Sequence, residues 1–273
     1  MTNLAISPST QPGRISLLDK LRGIAVVMMI AYHFCFDLNY FRFASFNMLV
    51  APGWIAWRTV IVSSFLLVMG VSLQLAAQAR TNHRIALEPP PLSLWQRLFF
   101  GRGFWGRWLQ ITLAALLVSI GSYAMFPEGY IYFGILHFAA AATLLARPLL
   151  KLGSINLVIG IILIILGKLM HLDMMNPRAL NWIGMVSQLP LTEDYVPILP
   201  WLGVVLIGVG GASYWQNRGN TVWPWLNSLE QKLPSPIAQL LSFLGRHSLL
   251  VYLLHQPLLM ALLSAAYFGL QIH

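Results

Sequence analysis

The chain has 273 residues, of which 58% are hydrophobic and only 9% charged, where a soluble domain carries about 25% charged residues. Too few polar side chains exist to coat a water-facing surface, and the apolar residues come in long blocks, so the solvent is lipid. The net charge of +9 does not mark a nucleic-acid binder, because the basic residues lie between apolar blocks, where membrane topology puts them.

The single cysteine, Cys35, excludes an intramolecular disulfide. The expected fold is all-α: one polytopic integral membrane helix bundle over residues 1–273, with membrane lipid as its surroundings and an oligomer possible. Spans of roughly 20 apolar residues are expected at 21–43, 53–77, 108–126, 130–148, 154–171, 197–215 and 247–269. Residues 178–190 and 235–245 read as short re-entrant or interfacial pieces. The count therefore runs from about seven to nine.

Lysine and arginine set the orientation. With a cytoplasmic N-terminus, the inner segments hold Arg14, Lys20, Arg22, Arg80, Arg84, Arg97, Arg102, Arg107, Arg147, Lys151, Arg218, Lys232 and Arg246. The outer side keeps Arg42, Arg58, Lys168 and Arg178. The first span is too long for a signal peptide and is followed by no A-x-A-like cleavage site. Trp54, Trp57, Trp105, Trp108, Trp201 and Trp215 fall near span ends, as interfacial anchors do.

The inner segment 79–107 contains the run Pro89-Pro90-Pro91 and then an amphipathic basic piece with Arg97, Arg102 and Arg107. That piece suits a helix lying on anionic lipid or a phosphate-binding lip.

Ionisable groups inside spans are costly and mark function. Arg22 and His33 are eleven residues apart, about three turns and ~16 Å, so they share a face and His33 sits near the midplane. Asp37 follows on the same side at i+4. His137 and His255 reach similar depth on two other helices. His255 is followed by Gln256 and by Pro257, which frees a carbonyl one turn back. A lone buried histidine is most often a satisfied core residue, whereas three at one depth point to a shared task.

Asp194 and Tyr195, with Trp201, stand at the outer entrance to the sixth span. They suit either a polar substrate such as a sugar or an ordinary helix start. Gly208, Gly210 and Gly211 read as a close-packing stripe. The histidines are scattered singly, so no metal site is expected, and no nucleotide-binding loop or G-x-S-x-G elbow occurs.

The stretch Leu18-Asp19-Lys20-Leu21-Arg22-Gly23-Ile24-Ala25, leading to His33, resembles the opening of the transmembrane acyltransferases. Three more blocks look like bacterial homologues of the heparan-alpha-glucosaminide N-acetyltransferase catalytic domain. They are Phe133-Gly134-Ile135-Leu136-His137-Phe138, Asp194-Tyr195-Val196-Pro197-Ile198-Leu199-Pro200-Trp201, and Gly245-Arg246-His247-Ser248 through His255-Gln256-Pro257. The resemblance runs from about residue 14 to 259.

It implies a bacterial inner-membrane enzyme that moves an acetyl group from cytoplasmic acetyl-CoA, a co-substrate, to an amino sugar or glycan outside. On that reading Arg22, with Arg97, Arg102 or Arg107, holds the CoA phosphates. His33 acts as general base or acyl carrier, oriented by Asp37, and His137 and His255 assist. Asp194, Tyr195, Trp201 and Gln256 meet the acceptor. The competing class is a small-molecule transporter or proton pathway that uses the same histidines and Asp37 as a relay. Against it, no inverted repeat with paired broken helices is visible. A structural subunit without chemistry would leave the buried polar stripe without a purpose.

Overall fold

The structure is a computed structural model that describes residues 16–48, 50–86, 104–218 and 234–271. Its helices are α1 (Ser16–Tyr40), α2 (Pro52–Ala86), α3 (Phe104–Met125), α4 (Ile135–Leu149), α5 (Asn156–Leu169), α6 (Ile198–Asn217), α7 (Ser235–Arg246) and α8 (Ser248–Gln271). No strand forms among the described residues, as expected where lipid cannot satisfy an open sheet edge. The Pro89–Pro91 run, Arg97 and Arg102 lie outside the described residues.

Among the described residues, six helical stretches are long and apolar enough to cross a membrane. One of them, Ile135–Leu169, is two crossings rather than one. At its start, the Ile135 N–H meets Asp194, just ahead of α6. At its middle, Gly153 lies against Ser213, near the far end of α6. At its end, Gly167 is back against Pro200. The chain therefore runs along α6, reverses, and returns. The reversal is the 3-10 turn Leu150–Ile155, where Gly153 adopts φ 56° and ψ −129°, a conformation that favours glycine. Buried Asn156 holds the turn, donating to the Leu149 and Gly153 carbonyls at 2.8 and 2.9 Å.

With this reversal, every one of the seven expected spans has its helix. The two extra pieces do not cross. Residues 170–197 contain single 3-10 turns, Asp173–Met175 and Asn181–Ile183. Helix α7 has 12 residues, ~18 Å of rise, and lies antiparallel on the first turns of α1.

Hydrophobicity cannot hold such helices together in lipid; close van der Waals packing does. The main core joins Leu66 of α2, Phe138, Ala142 and Ala146 of α4, and Leu202, Val205 and Leu206 of α6. Helices α2 and α6 cross where Gly70 meets Val205 and Gly208 meets Leu67. Of the glycine stripe read from the sequence, Gly208 and Gly210 make such contacts, but Gly211 faces open space. A helix puts adjacent residues about 100° apart, so Gly210 and Gly211 cannot serve the same contact.

A second cluster gathers Met29, Tyr32, Met48 and Ile61, with Trp54 and Trp57 packed on it. The two indoles stack on each other and meet Tyr32 edge-on. Trp54, Trp57 and Trp201 thus do core packing beyond the interfacial anchoring expected of them. Trp108 donates to the Ala140 carbonyl at 3.0 Å.

Candidate active site

Helices α1 and α8 pack so that two rungs of polar side chains join them. In the first, His255 Nε2 lies 3.1 Å from His33 Nδ1. In the second, Gln256 Nε2 donates to Asp37 Oδ1 at 2.6 Å. Asp37 and His255 are buried, Asp37 completely. The sequence places both rungs: His33 and Asp37 are one turn apart on α1, and His255 and Gln256 are neighbours on α8. Helix α8 continues through Pro257.

The neighbours of the histidines assign their protons. His255 Nδ1 is 2.7 Å from the Tyr252 carbonyl, and a carbonyl only accepts, so Nδ1 carries hydrogen and Nε2 a lone pair. His33 Nδ1 is 3.0 Å from the Met29 carbonyl and 3.1 Å from His255 Nε2. Both of these accept, so His33 Nδ1 carries hydrogen and is shared between them. The opposite tautomers would set lone pair against carbonyl oxygen on both rings. His33 Nε2 is left with its lone pair unused among the described residues. An imidazole held by Nδ1–H with Nε2 open is the arrangement of a general base or nucleophile.

The structure thus pairs His33 with His255 and a main-chain carbonyl. The expected Asp37–His33 hydrogen bond is replaced by Asp37–Gln256. Side chains at i and i+4 stack along one helix, but the facing helix offers nearer partners here.

His137 belongs to another network, between α3 and α4. Its Nδ1 accepts from the Gly134 N–H at 3.3 Å, and its Nε2 lies 3.0 Å from the Ser119 hydroxyl, which donates to the Ile131 carbonyl at 2.7 Å. Both ring nitrogens are occupied in holding the turn before α4.

Asp194 also has a structural task. Its Oδ2 accepts from the first N–H of α4, on Ile135, at 2.8 Å and from the Tyr252 hydroxyl at 3.4 Å. Burial pushes its carboxyl above the ordinary aspartate range, against the opposing pull of those two donors and of Arg58. Tyr195 donates to the Asn181 carbonyl at 2.6 Å; burial, then Tyr132, pushes its phenol upward.

Asp194→Ala is expected to cost about 1 kcal/mol, as for a lost helix cap, seen as a lower unfolding temperature of the purified protein. If Asp194 instead contacted the acceptor, the acceptor KM would rise manyfold with stability unchanged.

At the basic end, Asp19 organises the arginines. It is 1% exposed, 3.0 Å from Arg22 Nη1 and 3.5 Å from Arg246 Nε. Arg22 Nη2 also reaches the Ser72 hydroxyl of α2 at 2.5 Å. Asp19 and Ser72 were not singled out in the sequence. The signal for Asp19 is its place in the sequence as the one acid among Arg14, Lys20 and Arg22. Arg107 lies near the start of α3, on this same side. The Leu18–Ala25 block and the Gly245–Ser248 block meet here, ionically and through main-chain contact of Gly23 with Leu241 and Gly245 with Asp19.

Residues 14–257 match the family described as heparan-alpha-glucosaminide N-acetyltransferase, catalytic. No curated protein and no solved structure matches the chain.

Proposed function

The chain belongs to the heparan-alpha-glucosaminide N-acetyltransferase catalytic family, and on that premise we propose that it transfers acetyl from acetyl-CoA to an amino sugar or glycan acceptor across a bacterial inner membrane. The observation that carries this reading is the open Nε2 of His33, whose ring is held by the Met29 carbonyl and His255.

CoA phosphates meet the basic end, where Arg22 stands and Arg107 lies near the start of α3; Arg97 and Arg102 precede Arg107 in the sequence and are assigned to the same task. Guanidinium groups suit phosphate geometry, and Asp19 fixes the Arg22 head so that little rotamer entropy is lost on binding. The acceptor comes from the opposite side. His33 Nε2 takes the acceptor's proton as its nitrogen or oxygen bonds to the acetyl carbon. The C–S bond then breaks, and the CoA thiolate leaves and is protonated. His255 keeps its lone pair on His33 Nδ1–H, which favours the imidazolium form of His33 when it gains the proton.

The test is ligand-dependent stability. Acetyl-CoA at 100 times its Kd should stabilise the solubilised wild type by about 2.7 kcal/mol. Arg22→Ala should abolish most of the shift, and His33→Ala should keep it. A folded wild type that shows no shift at saturating acetyl-CoA would overturn the reading.

A further inference from the structure

The second rung between α1 and α8 carries more than a hydrogen bond. Asp37 is 0% exposed, and it spends one oxygen on Gln256 Nε2. Its other oxygen, Oδ2, is buried with no hydrogen-bond partner, and so is Gln256 Oε1. No cationic side chain pairs with Asp37 among the described residues. A carboxylate inside a span without a cation is costly, and so is each buried acceptor that meets no donor. Two such acceptors on one bonded pair, one helical turn from the open Nε2 of His33, describe a place for a charged N–H donor. His33 and Asp37, at i and i+4, lie on one face with β-carbons about 6 Å apart, within reach of the same small polar group.

We propose that Asp37 and Gln256 form the subsite for the acceptor's ammonium group, which makes this protein selective for amines over hydroxyls. The proposal rests on the acetyl-transfer reading above and names the substrate class within it. The ammonium enters as R–NH3+ and donates to Asp37 Oδ2 and Gln256 Oε1. One of its protons passes to His33 Nε2, which leaves a neutral amine with a free electron pair. That pair forms the C–N bond to the acetyl carbon as the C–S bond breaks. The amine's second proton goes to the departing thiolate, giving amide and CoA thiol. A hydroxyl acceptor satisfies neither orphan oxygen with charge and loses the attraction of Asp37.

The experiment compares wild type with Asp37→Asn in the full-length purified chain, using acetyl-CoA with glucosamine and with glucose. Asp37→Asn keeps the shape and removes the charge. The expected result is a KM for glucosamine raised at least about tenfold, with a smaller change in kcat and an unchanged acetyl-CoA thermal shift. Preference for glucosamine over glucose should narrow by the same factor. A second measurement on wild type covers a variant that fails to fold. The N,N-dimethyl derivative of glucosamine is cationic but cannot yield a neutral amide, and it should compete with glucosamine where glucose does not.

Equal KM values in wild type and Asp37→Asn, or no competition by the tertiary ammonium, would overturn the ammonium subsite while acetyl transfer stood. A wild type that transfers acetyl to neither sugar and shows no acetyl-CoA shift would overturn the acetyl-transfer reading itself.

Discussion

His33→Ala is expected to lower acetyl transfer by about 10²–10⁴-fold, the range a positioned general base supplies. The protein should still fold. The lost ring contributes one hydrogen bond to the Met29 carbonyl and one to His255, and neither helix depends on it for its backbone bonds. Removing His33 leaves His255 Nε2 without its donor, a cost of about 1–3 kcal/mol that shows as a moderate fall in unfolding temperature. The activity loss must greatly exceed what that fall explains. Transfer rates per folded molecule, taken with acetyl-CoA saturating, are the measure. Wild-type rates in a folded His33→Ala protein would remove His33 from the chemistry.

The largest effect on the fold is expected at Gly245. A β-carbon there would fall on the Asp19 main chain, and one at Gly23 would fall on that of Leu241. Backbone cannot rotate aside as a flexible side chain can. Gly245→Val should therefore push α7 off α1, and overpacking of this kind costs 1–3 kcal/mol or more. The same shift pulls Arg246 away from Asp19, whose 1% exposed carboxylate then loses that cation, a further penalty. Poor recovery of monodisperse protein and loss of the acetyl-CoA shift should follow together. Gly211→Ala is the control, since its β-carbon meets open space; it should leave both readouts unchanged. Normal recovery and ligand response in Gly245→Val would show that α7 is not needed at the start of α1.

Much of this fold was legible because lipid imposes long apolar blocks, and each of the seven blocks became a helix. The reversal at Leu150–Ile155 was harder to see. Helices α4 and α5, of 15 and 14 residues, are shorter than a standard span, and Lys151 and Gly153 are modest punctuation between them. Their close fit to α6 compensates, and such fits do not show in a hydropathy profile.

At the site, depth could be counted along each helix, and it put His33 and His255 at one level. Depth says nothing about azimuth, so it also admitted His137, which faces α3 and serves a turn. Likewise the Asp194-Tyr195 pair looked ready for a substrate, but the first N–H of α4 and the Asn181 carbonyl were unseen claimants on those side chains. Helix ends leave such groups unsatisfied, and in a membrane protein the nearest polar side chain meets them. Asp19 escaped notice for a related reason. Its partner Arg246, like the Ser72 hydroxyl that Arg22 reaches, comes from a helix that only the packing brings close.

Release of free CoA thiol, followed in the wild-type protein reconstituted in lipid vesicles with acetyl-CoA and glucosamine, is the most direct test. Thiol release should require both substrates, match N-acetylglucosamine formed one for one, and fall to background in His33→Ala. Folded wild-type protein that releases no thiol above the protein-free rate, with any acceptor tried, would contradict acetyl transfer as the work of this chain.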